Sequence, residues 1–224
     1  MNYLYSFRRC PYAMRARIGL HLSRLNPAVR EIELKNKPSH MLEISPKGTV
    51  PILVYQGESS PQIIAESIDI FKFAINHFPT DTSPYLNQKQ YQLLQKSLND
   101  EDSNNLIFVH DSQFKPWLDK YKYADRHPQM SQIEYRIQAE VFIKELEAKL
   151  TKNEYLFAAS PTFADFAIFP FIRQFAAVDQ QAFAISNYVH TETWLAKLIS
   201  SELFIQVMKK YPIWLPTQET IYLK

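Results

Sequence analysis

The chain changes its grammar once, and that change limits what it can fold into. Up to residue 78 strand and helix signals alternate, and from Gln88 onward strand signals nearly vanish. Residues 3–7 read as a short strand, and Ala13, Ala16 and Leu20, with Met14, Ile18 and Leu22, then recur at helical spacing. In residues 29–34 Ile32 and Leu34 alternate with Glu31 and Glu33, the period of a second strand. Residues 35–47 are polar and carry Pro38 and Pro46, so a loop or a short irregular helix is expected there. Residues 50–55 make a third strand, a turn at Gly57 leads to a fourth over 62–65, and a helix follows over 67–78. The predicted order is β-α-β-loop-β-β-α, an α/β layer whose sheet must be covered by helices.

Residues 79–87, with Pro79, Thr80, Asp81, Thr82, Ser83 and Pro84, have the composition of a linker. We therefore expect an α/β domain over 1–78 and an all-helical domain over 88–224. A helix is predicted over 88–98, and another over 106–123 that Pro116 should kink or restart. Ser131 and Glu134 form a capping-box pattern, with Ile133, Ile137, Val141, Leu146 and Leu150 as the expected apolar side. A similar pattern at Thr162 and Asp165 opens the strongly apolar stretch 166–178, which Pro170 should bend. A helix apolar nearly all round belongs in the centre of a bundle. A last helix is expected over 193–211.

A net charge of +2 argues against a polyanion-binding protein, so no nucleic-acid partner is expected. The arginines gathered between Arg8 and Arg30 read as a solvated helix face or as local support for an anionic ligand. No run approaches the ~18 apolar residues of a membrane span, and the N-terminus lacks a secretory pattern. One cysteine precludes an intrachain disulfide and fits a reducing compartment, so a cytoplasmic location is expected. Three glycines are too few for a glycine-rich phosphate loop, and six histidines without His-Glu-x-x-His spacing give no reason to expect a metal.

The cysteine is Cys10, in Arg8-Arg-Cys-Pro-Tyr-Ala13, at the predicted junction of the first strand and helix. Pro11 suits a first helical turn, where a missing N–H is no loss. A thiol at that junction meets unsatisfied backbone N–H groups and the positive end of the helix dipole, with Arg8 and Arg9 beside it. These favour the thiolate, which is the nucleophile.

Four stretches in order, Cys10-Pro-Tyr-Ala, Leu34-Lys-Asn-Lys-Pro38, Gly48-Thr-Val-Pro-Ile52 and Glu66-Ser67, resemble the cytosolic glutathione transferase superfamily. Among its branches the chain looks most like the omega class and the glutaredoxin-like, cysteine-type transferases. The resemblance implies a thioredoxin-like domain followed by a helical bundle, with glutathione as co-substrate and no metal. Val50-Pro51 would be the family's cis-proline turn, leaving the Val50 backbone to pair with a peptide. Glu66 would accept the γ-glutamyl ammonium and Ser67 would donate to the γ-glutamyl carboxylate. Lys37 would meet the glycine carboxylate at the other end.

Ala13 stands where a dithiol enzyme has its second cysteine, which leaves a monothiol route. Cys10 would form a mixed disulfide with glutathione, and a second glutathione would resolve it. Tyr12, Phe108, Phe114, Trp117 and Tyr121 are possible wall residues for a small oxidised or electrophilic acceptor. Two other functions remain open at this point: conventional conjugation of glutathione to electrophiles, and a non-enzymatic scaffold of the same fold. Family resemblance also implies a homodimer.

Overall fold

The computed structural model describes residues 1–58, 60–78 and 83–223. Residues 79–82 of the expected linker lie outside the described residues. The chain forms two compact units, Met1–Gln88 with Glu202–Lys224, and Lys89–Ser201. Residues 202–224 thus belong with the first unit, not with the helical one as expected.

The first unit is built on a four-stranded mixed sheet in the order β2-β1-β3-β4. Strand β1 (Tyr3–Ser6) pairs in parallel with β2 (Ala28–Glu31) and antiparallel with β3 (Ile52–Gln56), which pairs antiparallel with β4 (Pro61–Ile64). Strand alternation sends successive side chains to opposite faces. Leu4, Val29, Leu53 and Ile64 meet Ala16 and Leu20 of α1 (Pro11–Ser23) and Ile70 and Ala74 of α3 (Ser67–His77). Tyr3, Tyr5, Ala28, Ile52 and Val54 face the other way, where Met41 of the short α2 (Ser39–Ile44) joins them. Helices α1 and α3 approach closely at Gly19, where a Cβ would stand 2.8 Å from the Phe71 Cα.

The C-terminal segment joins this unit through backbone and ring contacts. After α11 (Glu202–Val207) the chain runs beside β2. The Val29 N–H donates to the Ile221 carbonyl at 2.7 Å, and the Leu223 N–H donates to the Pro27 carbonyl at 2.9 Å. Ala28 bridges Tyr222 and Glu31 bridges Ile213, so the outer edge of β2 is covered. The Arg30 guanidinium lies 3.6 Å from the Tyr3 ring centroid and 4.2 Å from that of Trp214, which begins α12 (Trp214–Thr217). The single helix expected over 193–211 is therefore two, α10 (Val189–Ile199) and α11, and it divides between the units.

The second unit contains α4 (Gln88–Ser97), α5 (Glu101–Val109), α6 (Lys115–Lys122), α7 (Gln132–Leu150), α8 (Phe163–Ala176), α9 (Gln180–Ala184) and α10. A π-helical segment, His110–Phe114, joins α5 to α6, and Pro116 falls in the first turn of the restarted helix, where it is tolerated. Helix α8 is buried along almost its whole length and runs through Pro170. On α7 the buried side is Tyr135, Ala139, Phe142, Ile143, Leu146 and Leu150, while Ile133, Ile137 and Val141 are exposed. The aromatic residues Tyr135 and Phe142 set the inward face, and the i, i+4 stripe of Ile133, Ile137 and Val141 lies outside it. Among the described residues no helix is long and apolar enough to cross a membrane.

Candidate active site

Cys10 is the N-cap of α1, with extended backbone (φ −78°, ψ 123°) and Pro11 in the first turn. Its N–H donates to the Phe7 carbonyl and its carbonyl accepts from the Met14 N–H, both at 2.9 Å. The side chain is half-buried, and its Sγ lies 3.8 Å from the Val50 carbonyl oxygen. The Val50–Pro51 bond is cis. Strand β3 begins only at Ile52, so the Val50 backbone lies outside the sheet ladder, beside the sulfur.

The same loop is shaped by Gly48, whose φ of +60° is in the left-handed region that glycine adopts without strain. A Cβ there would stand 3.1 Å from Leu42 Cδ2 and 3.6 Å from Lys37 Nζ. Lys37 therefore folds back towards the loop that leads into the cis bond. Glu66, the exposed N-cap of α3, accepts a 2.6 Å ion pair from Lys47. Ser67 begins the helix and is buried, its Oγ accepting from Arg15 Nη1 at 3.4 Å. Arg15 is itself buried, with its guanidinium 5.6 Å from the Tyr12 ring centroid.

Arg15 and Arg17 correct the expectation of a solvated helix face. Both are about 1% exposed or less. Arg17 Nη2 donates to Glu31 Oε2 at 2.5 Å, its Nε donates to Ser6 Oγ at 2.9 Å, and its Nη1 donates to the Val207 carbonyl at 3.2 Å. The other Glu31 oxygen accepts from the Arg8 backbone N–H at 2.5 Å. Burial pushes the Glu31 carboxyl up and the Arg17 guanidinium down, and their mutual attraction opposes both shifts. Lys47, Arg15, Arg17 and Glu31 were missed as site residues because their partners lie 11 to 190 positions away. Only the alternation of Glu31 with Ile32 hinted that the second strand carried a carboxylate towards a particular face.

Two family models match this chain: "Glutathione S-transferase, N-terminal domain" over residues 4–89 and "Glutathione S-transferase, C-terminal domain" over residues 134–199. The chain belongs to the glutathione S-transferase family. Glutathione S-transferase omega-1 of Sus scrofa is 24% identical over 198 residues, covering 88% of this chain and 76% of the relative. The solved glutathione transferase family member from Pseudomonas fluorescens, with two glutathione bound, superposes with a TM-score of 0.73 at 16% identity, covering 92% of each chain. Glutathione transferase Omega 2C from Trametes versicolor superposes with a TM-score of 0.68 at 19% identity, covering 95% of this chain and 94% of that one. The first unit is thus the thioredoxin-like part of a glutathione transferase fold, and the second contributes the helical part.

For this transferase the expected acceptor wall needs correction. Phe114 and Tyr121 are 1% and 3% exposed and belong to the core of the second unit. The Phe114 ring packs 5.1 Å from that of Phe142, and the Tyr121 ring 5.4 Å from that of Phe175. Aromatic residues at helical spacing fill a bundle interior before they line a surface. Phe108 is exposed, whereas Tyr12 and Trp117 are half-buried, with the Lys120 ammonium 4.5 Å from the Trp117 ring centroid. Among the described residues no group of three or more His, Cys, Asp or Glu side chains is placed to hold a metal ion.

Proposed function

We propose that this glutathione transferase family member is a glutathione-dependent thiol transferase that uses Cys10 as its nucleophile. The observation that carries this reading is the place of the sulfur, at the N-terminus of α1 and 3.8 Å from the Val50 carbonyl of the cis turn. A helix N-terminus favours the thiolate. An extended backbone segment beside the sulfur offers a docking edge for a tripeptide, as an added strand would use.

The charges around it suit glutathione. The exposed Lys47–Glu66 pair contributes little to stability, so its members can exchange partners with a bound ligand. Glu66 would accept the γ-glutamyl ammonium, while the Ser67 N–H at the start of α3, with Arg15 behind its hydroxyl, would hold the γ-glutamyl carboxylate. Val50 and Pro51 would pair with the tripeptide backbone, and Lys37 would meet the glycine carboxylate. Tyr12 is the ring of the first unit proposed to contact the acceptor.

The chemistry balances without another cofactor. The Cys10 thiolate attacks the glutathionyl sulfur of a mixed disulfide, an S–S bond forms to Cys10, and the acceptor thiolate leaves. The thiolate of a second glutathione then attacks the same glutathionyl sulfur, releasing oxidised glutathione and restoring the Cys10 thiolate. Related transferases solved with glutathione or glutathione disulfide bound support the choice of ligand. The same proposal includes a homodimer, checked by light scattering.

Intact-mass measurement after incubation with oxidised glutathione tests this function. One glutathionyl adduct is expected on the native chain, and none on Cys10→Ala. Adduct-free native protein, or a Cys10→Ser variant that conjugates a model electrophile as well as the native chain, would assign the protein to conventional conjugation instead.

A further inference from the structure

We propose that Glu31 is a positioning residue for Cys10: one buried carboxylate ties down the chain on both sides of the sulfur. This inference rests on the reading of Cys10 as the nucleophile.

The β1–β2 register sets Ser6 opposite Glu31, so the Glu31 side chain stands where the chain leaves β1 for the Cys10 loop. From there Oε1 takes the Arg8 N–H, two residues before Cys10, and Oε2 takes the Arg17 guanidinium, two helical turns after it. Both contacts have a carboxylate oxygen as acceptor, and charge-assisted hydrogen bonds of this kind are stronger than those between neutral groups. Arg17 is itself braced by Ser6 of β1 and by the Val207 carbonyl at the end of α11. The loop and the helix that follows it therefore meet on the Glu31 side chain, which is 5% exposed, and the C-terminal segment joins them through Arg17. The Arg8 contact is what a purely structural ion pair would not need. Without an acceptor at that position, the approach to the sulfur loses one of its restraints and keeps the turn closed by the Cys10 N–H and the Phe7 carbonyl.

Two double variants separate positioning from folding, because each removes the Arg17 charge and they differ only in the acceptor at position 31. R17M/E31Q keeps an amide oxygen for the Arg8 N–H, whereas R17M/E31M has none. Replacing a buried ion pair with well-packed apolar groups is often tolerated, so both are expected to melt close to the native chain. The readout is the rate of Cys10 alkylation by iodoacetamide across pH. In R17M/E31M the rate at neutral pH should fall about tenfold and its profile should move to higher pH, the scale of effect that small misplacements produce. R17M/E31Q should recover most of that rate. Equal rates and profiles in the two variants would overturn the proposal.

If neither variant folds, amide hydrogen exchange on the native chain decides instead. The Arg8 amide should be protected like the amides of β1, and exchange as fast as that of an exposed loop would overturn the assignment. Alkylation needs no glutathione, so these outcomes are independent of the adduct test. A native chain that forms no adduct but keeps the contrast between the variants sinks thiol transfer and leaves the positioning role standing.

Discussion

Each unit of this protein buries a carboxylate, and the two are satisfied in opposite ways. In the second unit Asp165 has no counter-ion among the described residues; four donors surround it. The Thr162 N–H and hydroxyl reach Oδ2 at 2.8 and 2.6 Å, and the Leu156 N–H and Trp194 Nε1–H reach Oδ1, each at 2.9 Å. Burial pushes its carboxyl up and these four hydrogen bonds pull it back down. Three of the four donors come from within nine residues, so Asp165 acts as a local staple that starts α8 and pins α10 through Trp194. Glu31 in the first unit is paired with a charge and linked to the loop that leads to Cys10. A carboxylate held by neutral donors fixes one helix start, whereas one shared between a guanidinium and a loop N–H couples distant parts of the chain.

Asp165→Ala should have the largest effect on stability. It leaves several buried donors without an acceptor, and with about 1–3 kcal/mol lost for each group the destabilisation should be about 4 kcal/mol. The check is denaturant unfolding. Below the unfolding transition Cys10 should alkylate at the native rate, and a slowed thiol there would show that the two carboxylates are not separable. Glu31→Ala should cost about 3 kcal/mol, because Arg17 stays buried without its counter-ion, and this variant should slow Cys10 as well.

A smaller effect comes from pH. His21, buried in α1, has its pKa lowered from 6.5 to about 4, first by burial and then by the nearby Arg17 and Lys209 charges. Between those values the unfolded chain binds a proton that the folded chain does not. Stability attributable to His21 is therefore complete above pH 6.5 and falls by about 1.4 kcal/mol per pH unit as the pH drops towards 4. Denaturant midpoints measured from pH 7 to 5 should show this slope, and a His21→Leu variant should lack that part of it. Unchanged acid sensitivity in the variant would move the cause elsewhere. The smallest change is expected from Ile137→Gln on the exposed side of α7, within about 0.5 kcal/mol of the native chain. A larger loss, concentration-dependent, would show that a second copy covers this helix.

The two carboxylates also differ in how readable they were. Asp165 was legible because a capping box is a short-range pattern, with acceptor and N-cap three residues apart. The four strands, α1, α3 and the place of Cys10 were legible for the same reason: period, proline position and turn residues act over a few residues. The role of Glu31 was not, since its partners belong to a loop and a helix that strand pairing brings together. The aromatic residues of α6 and the preceding π-helical segment misled for a related reason. Helical spacing shows that Phe114 and Tyr121 share a side with other apolar residues, but not whether that side meets a cavity or the Phe142 and Phe175 rings.

By itself, the sequence determined the alternation of strands and helices, the proline-marked helix start at Cys10 and the caps at Ser131 and Thr162, because these depend on backbone groups close along the chain. Tertiary structure alone decided that Arg15 and Arg17 lie inside, that residues 213–223 cover the edge of β2, and that one carboxylate ties both flanks of the sulfur. Those outcomes depend on which buried charge finds which partner, and burial makes such pairings obligatory without any signal in local spacing.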